Sequence, residues 1–287
     1  MAKRAQKQRI DRYVAHKSVK ASAAATAIQS AYKIEVRFLG GLTATQKAAF
    51  KKAADRWTTV IIGDLPTVMV SGEPIDDLLI EAKGIPIDGP NGILGQAGPT
   101  NLRPASAGAA AFLPAKGIMQ FDTADLAQME ADGTLVDVIT HEMGHVIGIG
   151  TIWEDKGLLA GLGTANPTFT GAKAKKAFGT LKGKGPTPVP VENTGGEGTR
   201  DSHWRESVFK NELMSGFIAA AGNPLSRLTV ASLQDLGYKV NLSAAEAYSL
   251  PNLQMIAERG LLMAVPAHRH TLPIFSPKVL PDDSLVV

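Results

Sequence analysis

An α+β fold is predicted for this 287-residue chain by three observations. Ile34, Val36 and Phe38 alternate with Glu35 and Arg37, the period-two pattern of a half-buried strand. Phe50, Ala54, Trp57 and Ile61 recur at helical spacing behind Thr43 and Gln46, a capping box that marks a helix start. Further strand-like runs at 67–70, 78–82 and 118–121 lead into a second helical pattern over 134–147, which predicts a sheet with helices laid on it.

The chain opens on a basic arm. Residues 1–20 carry Lys3, Arg4, Lys7, Arg9, Arg12, Lys17 and Lys20 against Asp11, a net of +6, and the remaining 23 basic and 26 acidic residues leave the body at −3. A basic arm can touch nucleic acid or anionic lipid, but a solvated, poorly ordered terminus is the plainer reading. The body has no second basic run, so no nucleic-acid partner is expected. An apolar content of 44% suits a soluble chain with a real core. The lack of cysteine excludes disulfides and thiolate-held metals, so histidine must carry any zinc site. No apolar run approaches the ~18 residues of a membrane span, and no apolar leader precedes a small-residue cleavage site, so neither a transmembrane segment nor Sec export is expected.

Gly40 and Gly41 end the first strand, and Ser71-Gly72-Glu73-Pro74 reads as a turn between the next two. From Asp88 to Gly117 there are six Gly and four Pro, a composition that breaks helix and central strand alike and predicts a long ordered excursion over the surface. Asp76, Asp77 and Asp88 lack the spacing of a calcium loop and read as solvated loop acids. Ile118–Phe121 reads as a strand, and Asp122 opens a brief helix that ends at Gly133. Thr134 with Asp137 is the capping signature of the next helix. Val136, Ile139, Met143 and Val146 form its apolar face, and Gly148 and Gly150 supply its stop.

That helix carries His141-Glu142-Met143-Gly144-His145. Residues four apart lie one turn apart on nearly the same face, so the two imidazoles can converge on one cation with Glu142 beside them. Neutral imidazoles suit Zn²⁺, and the neighbouring carboxylate can take the proton of a water that the metal has acidified, the division of labour of a metallopeptidase. With six His and twelve Glu in the chain, H-E-x-x-H arises by chance only about 0.005 times. Gly144 costs about 1 kcal/mol against Ala inside a helix, which predicts close packing against another backbone.

A catalytic zinc takes three protein ligands and leaves a position for water. The extended motif H-E-x-x-H-x-x-G-x-x-H finds Gly148 in place, but Thr151 stands where its third His belongs. Of the other histidines, His16 lies in the arm and His268 and His270 in a Pro-rich tail, which leaves His203. Glu212, Glu206 or Asp201 are the alternatives, each giving a two-His, one-carboxylate site.

The order H-E-M-G-H-x-x-G, then a long insertion, then His203-Trp204 and Asn211-Glu212-Leu213-Met214-Ser215-Gly216, resembles the leishmanolysin family of metzincin-clan zinc metallopeptidases, bacterial-type members in particular. The similarity runs over about residues 31–265. It implies that one catalytic Zn²⁺ is bound by His141, His145 and His203, that Glu142 is the general base, and that Met214 forms the Met-turn beneath the metal. A plain core methionine is the alternative reading of Met214. The implied architecture is metzincin-like. An N-terminal catalytic subdomain (31–150) holds a twisted mixed sheet, two long helices and the zinc helix. A mainly irregular and helical C-terminal subdomain (151–265) holds the insertion, third ligand and Met-turn, with the zinc cleft between the two. The arm (1–30) and the Pro-rich tail (266–287) flank them, and the tail is expected to be draped on the surface or loosely ordered.

Within the insertion, Gly171–Phe178 reads as a short Lys-bearing helix and 183–198 as loop. Thr229 reads as the cap of a helix through Leu233 and Leu236 to Gly237. The expected activity is that of a metalloendopeptidase on protein or peptide substrates, with the substrate laid along an exposed edge at Ile118–Phe121. The alternatives are a noncatalytic zinc-containing binding protein and a zinc hydrolase of a non-peptide bond. The resemblance suggests secretion by a non-Sec route, with a cytoplasmic protein as the alternative.

Overall fold

A computed structural model describes residues 10–16, 31–89, 94–196, 198–218, 221–251 and 276–286. The first half of the chain builds β1 (Asp11–His16), β2 (Lys33–Phe38), α1 (Ala44–Val60), β3 (Val68–Val70), β4 (Glu73–Ile75), β5 (Leu78–Ile85), β6 (Gly95–Leu102), β7 (Pro114–Asp122), α2 (Thr123–Asp132) and α3 (Leu135–Ile147). The second half adds β8 (Leu159–Ala160), β9 (Thr168–Phe169), α4 (Ala172–Leu181), β10 (Val189–Pro190), α5 (Glu206–Phe209), α6 (Arg227–Leu236) and β11 (Lys278–Val279). This is a mixed α+β fold. Its main sheet has the order β1-β2-β5-β7-β6-β11, with β2, β5 and β7 parallel and β6 antiparallel to β7. Among the described residues no helix is long and apolar enough to cross a membrane.

α1 starts as its residues dictate, with the Thr43 side chain accepting from Gln46 N and Gln46 answering to Thr43 N at 2.9 Å. Its buried face carries Phe50, Ala54 and Trp57. Phe50 meets Phe38 of β2 and Phe121 of β7 edge-on, with ring centroids 6.0 and 5.9 Å apart. Trp57 also donates to Thr140 O of α3 at 2.9 Å, tying the two helices together. A Cβ added at Gly117 of β7 would stand 2.4 Å from a Val146 methyl and 2.7 Å from Gly98 O of β6, so glycine at 117 lets α3 lie close on the β6–β7 pair.

β6 stands where the sequence predicts a surface excursion. The small residues that argue against a strand are there because bulk does not fit: a Cβ at Gly95 would fall 2.5 Å from Gln120 O. Pro99 is tolerated because β6 lies at the flank of the sheet, where only Asn101 and Leu102 pair with β11. β7, by contrast, lies between β5 and β6, so Ile118–Phe121 is no exposed edge and cannot take an added strand.

Three other expectations are corrected or made specific. Residues 11–16 of the arm form β1, antiparallel to β2, with Ala15 buried and Tyr13 donating to Asp55 at 2.7 Å. Residues 278–279 of the tail pair with β6, and Val286 N donates to Thr67 O at 2.9 Å. The 17–30 stretch, His268 and His270 lie outside the described residues. Asp77 is no solvated loop acid: it is 1% exposed and accepts from Lys33 N and Leu65 N, both at 2.8 Å, while burial pushes its carboxyl up to about 7.

α2 begins at its Asp122 cap and ends at Gly133, in the left-handed region. Thr134 makes no side-chain cap for α3, since its backbone is already helical at φ −89°, ψ −10° where a capping residue is extended, and the Asp137 carboxylate accepts from Asn223 N and Nδ2 at 3.2 Å. α6 is capped by Ser226 rather than Thr229, whose backbone N donates to Ser226 Oγ at 3.4 Å. α4 matches the expected Lys-bearing helix and begins after Gly171.

Candidate metal centre

His141 and His145 project from α3 one turn apart, and His203 comes to them from irregular backbone. The three Nε2 atoms stand 3.0–3.1 Å from one another, and all three rings are buried. Each Nδ1 meets a backbone carbonyl: His141 that of Leu213 at 2.7 Å, His145 that of Ile149 at 2.8 Å, and His203 that of Thr199 at 2.9 Å. A carbonyl can only accept, so the proton of each neutral ring belongs on Nδ1 and the Nε2 lone pair is turned inward. Three lone pairs at van der Waals separation repel unless a cation lies among them. The donor set therefore fits a metal that takes imidazole nitrogen, held by the outer carbonyls in one tautomer and one ring orientation.

The end of α3 is shaped to receive the third ring. Gly148, at φ +115°, stops the helix in the left-handed region, and Thr151 turns back so that its hydroxyl donates to His145 O at 2.7 Å. Gly150, at φ +78°, then touches the segment ahead of His203: a Cβ there would lie 2.0 Å from Ser202 O. Beyond it, Trp153 stacks on Trp204 with centroids 4.7 Å apart, and Phe169 of β9 meets Trp204 edge-on at 5.5 Å. These contacts join the exit of α3 to the residue that follows His203. Backbone bonds fix the rest, with Glu192 N donating to His203 O and Trp204 N to Met214 O, both at 2.9 Å.

Met214 is fully buried, with its sulfur 2.8 Å from where a Gly144 Cβ would stand. The closeness that Gly144 allows is therefore to the Met214 side chain and the Trp57 ring, where another backbone was expected. Glu142 lies on α3 next to His141 and is 4% exposed. The rival carboxylates do not join the histidine group among the described residues. Asp201 accepts from Gly163 N at 3.1 Å, and Glu206 lies beside Glu192, its carboxyl pushed up to about 7 by burial. Glu212 is buried, and burial pushes its carboxyl up against the donors it accepts from, Met214 N at 2.6 Å and Ser226 Oγ at 2.6 Å among them. The orienting carbonyls of Leu213, Ile149 and Thr199 left no trace in the sequence, since every residue has one. The acid in Asn211-Glu212-Leu213-Met214 was the single readable sign of the support behind them.

The family model for leishmanolysin matches residues 109–255. The leishmanolysin of Leishmania major is 33% identical over 147 residues, 46% of this chain and 23% of the relative. That of Leishmania chagasi is 27% identical over 224 residues, 70% of this chain and 35% of the relative. A leishmanolysin-like peptidase of Caenorhabditis elegans is 42% identical over 76 residues, 26% of this chain and 11% of the relative. The chain spans about a third or less of the length of these curated relatives. Because the matched span covers about half of the chain and includes all three histidines and Met214, the chain belongs to the leishmanolysin family.

Proposed function

We propose that the chain is a zinc-dependent endopeptidase in which His141, His145 and His203 hold one Zn²⁺ and Glu142 is the general base. The observation that carries this reading is the convergence of three Nε2 atoms within 3.1 Å, each ring fixed from behind by a carbonyl. Zinc supplies there a lowered water pKa and polarisation of the scissile carbonyl. Glu142 takes the proton of the attacking water and returns it to the departing amine nitrogen. Its place one residue after His141, on a helix buried over 138–147, keeps that exchange away from bulk water. Met214 closes the floor beneath the histidines with an unbranched side chain that competes weakly for zinc.

The substrate is a protein or peptide. The outer side of β6 does not seat it, because Ala97, whose N–H and C=O alternation turns away from β7, is fully buried.

A casein digest by wild type, Glu142→Ala and chelator-treated protein tests the roles of Glu142 and zinc. Glu142→Ala keeps its zinc and loses roughly 10²–10⁴-fold or more in kcat/KM, and the chelator abolishes cleavage. Undiminished hydrolysis in either arm overturns the assignment, and zinc binding with no hydrolysis by wild type points to a noncatalytic protein.

A further inference from the structure

We propose that Glu212 is a positioning residue of the metal centre, an inference that rests on the zinc reading above. Its buried carboxylate holds the 212–215 turn so that the Leu213 carbonyl meets His141 and the Met214 side chain meets α3. Oε2 accepts from Met214 N at 2.6 Å. Oε1 accepts from Ser226 Oγ at 2.6 Å, Ser226 N at 3.1 Å and Thr229 Oγ1 at 2.5 Å. One side chain thus joins the turn to the first residues of α6.

Both ends of this link reach the histidines. Leu213, the next residue, presents its carbonyl to His141 Nδ1 at 2.7 Å. Met214, whose N–H the carboxylate holds, packs against Gly144 between the two helix histidines. On the other side, Thr229 Oγ1 passes the contact on by accepting from Trp204 Nε1 at 2.8 Å, and Trp204 follows His203. Glu212 touches no ring itself, yet the surroundings of two of the three histidines are hung from it.

The arrangement demands two acceptor oxygens rather than any polar group. All four partners of Glu212 donate, and two of them are backbone N–H groups that cannot turn around. Glutamine has one oxygen. Whichever way its amide is flipped, an NH₂ faces either Met214 N–H or Ser226 N–H, and the turn or the α6 cap must move.

Asp235 provides a matched comparison. It too is a carboxylate that accepts from two backbone N–H groups, Lys173 and Ala174 at the start of α4, both at 2.9 Å, but it supports no histidine partner. A merely structural role predicts that Glu212→Gln and Asp235→Asn behave alike.

The test uses the full chain and reads zinc affinity by competition with a chelator, the visible spectrum of the cobalt(II)-loaded protein, and the melting temperature without metal. Glu212→Gln is expected to weaken zinc binding about 10–100-fold and to shift the cobalt bands. Asp235→Asn should lower the melting temperature while leaving zinc affinity and spectrum as in wild type. Wild-type zinc affinity and spectrum in Glu212→Gln, or equal losses in the two variants, would overturn the inference. If Glu212→Gln does not fold, Thr229→Val and Thr229→Ser decide: loss of the hydroxyl weakens zinc and serine restores it, whereas equal behaviour overturns the proposal. A wild-type chain that binds no zinc overturns the zinc reading and this inference with it, whereas zinc-binding wild type with an unaltered Glu212→Gln overturns this inference alone.

Discussion

Two stretches of the molecule bring histidines to one point by different physics. α3 places His141 and His145 by its own geometry, since any helix puts residues four apart on nearly one face. It is held in place by burial, with Ile139, Met143, Val146 and Ile147 fully covered by the sheet and its neighbours. His203 comes from a segment with no regular structure, 58 residues after His145. Its position is fixed by backbone touching backbone at Gly150 and Ser202, by the Trp153–Trp204 stack, and by the Thr199 carbonyl. A helix distributes its support over many contacts, whereas the loop concentrates its support on a few. Substitutions should therefore be unequal in cost on the two sides.

Gly150→Ala is the strongest way to break the loop side. The position needs φ +78°, which disfavours a Cβ, and that Cβ would lie 2.0 Å from Ser202 O. Both obstacles are backbone, so no side-chain rotation relieves them. The expected cost is about 3–5 kcal/mol of stability. Zinc affinity should fall with it, because Ser202 immediately precedes His203, the proposed third ligand. Denaturation midpoints with and without zinc measure both effects, and a midpoint close to wild type would show that His203 is held by something other than this contact.

The same inequality governs what could be read from the sequence. The helix histidines and Glu142 were legible because their spacing is a property of a helix, and α1, α2 and α4 were legible from caps and periodicity. β6 was not, because Gly95 is there to lie close on Gln120 and Phe121 of β7 and Pro99 suits a flank of the sheet, which only the tertiary arrangement reveals. Likewise β1 carries its pairing in a stretch whose charges pointed to solvent, and Asp77 is buried by partners distant in sequence. His203 was reached by elimination and by its resemblance to a family. Nothing in its local sequence encodes the contact between Gly150 and Ser202, or the carbonyls behind the rings.

Acids on the two sides sharpen the comparison through pH. Asp77 in the sheet half and Glu206 in the loop half are both lifted to about 7 by burial. A carboxyl whose folded pKa is raised binds its proton more tightly in the folded state. Its contribution is complete below the unfolded pKa and is lost as pH rises through the folded one, here between about 4 and 7. For the fully buried Asp77 the loss is on the order of 2–4 kcal/mol. Glu206 is partly exposed and contributes less. Urea denaturation from pH 4 to 8 should show wild type losing stability relative to Asp77→Asn across that window, with a smaller relative loss against Glu206→Gln. A difference that does not change with pH would mean that Asp77 stays ionised in the folded chain.

The smallest effect is expected on the helix side, at Gly144. Here the backbone is helical, so a Cβ brings no strain of its own, and Ala improves helix propensity by about 1 kcal/mol. Against that gain, the Cβ would stand 2.8 Å from Met214 Sδ, 3.0 Å from its Cε and 3.1 Å from a Trp57 ring carbon. The nearest of these atoms belong to the end of an unbranched side chain, which yields by rotation, although the ring does not. Propensity and crowding then nearly offset, and Gly144→Ala should change stability by only about 1 kcal/mol in either direction. What does move is Met214, so the cobalt spectrum should shift although the melting temperature barely changes. A stability loss as large as that of Gly150→Ala would show that the floor under the histidines is as rigid as the loop contact, and that the helix side owes its tolerance to nothing in α3 itself.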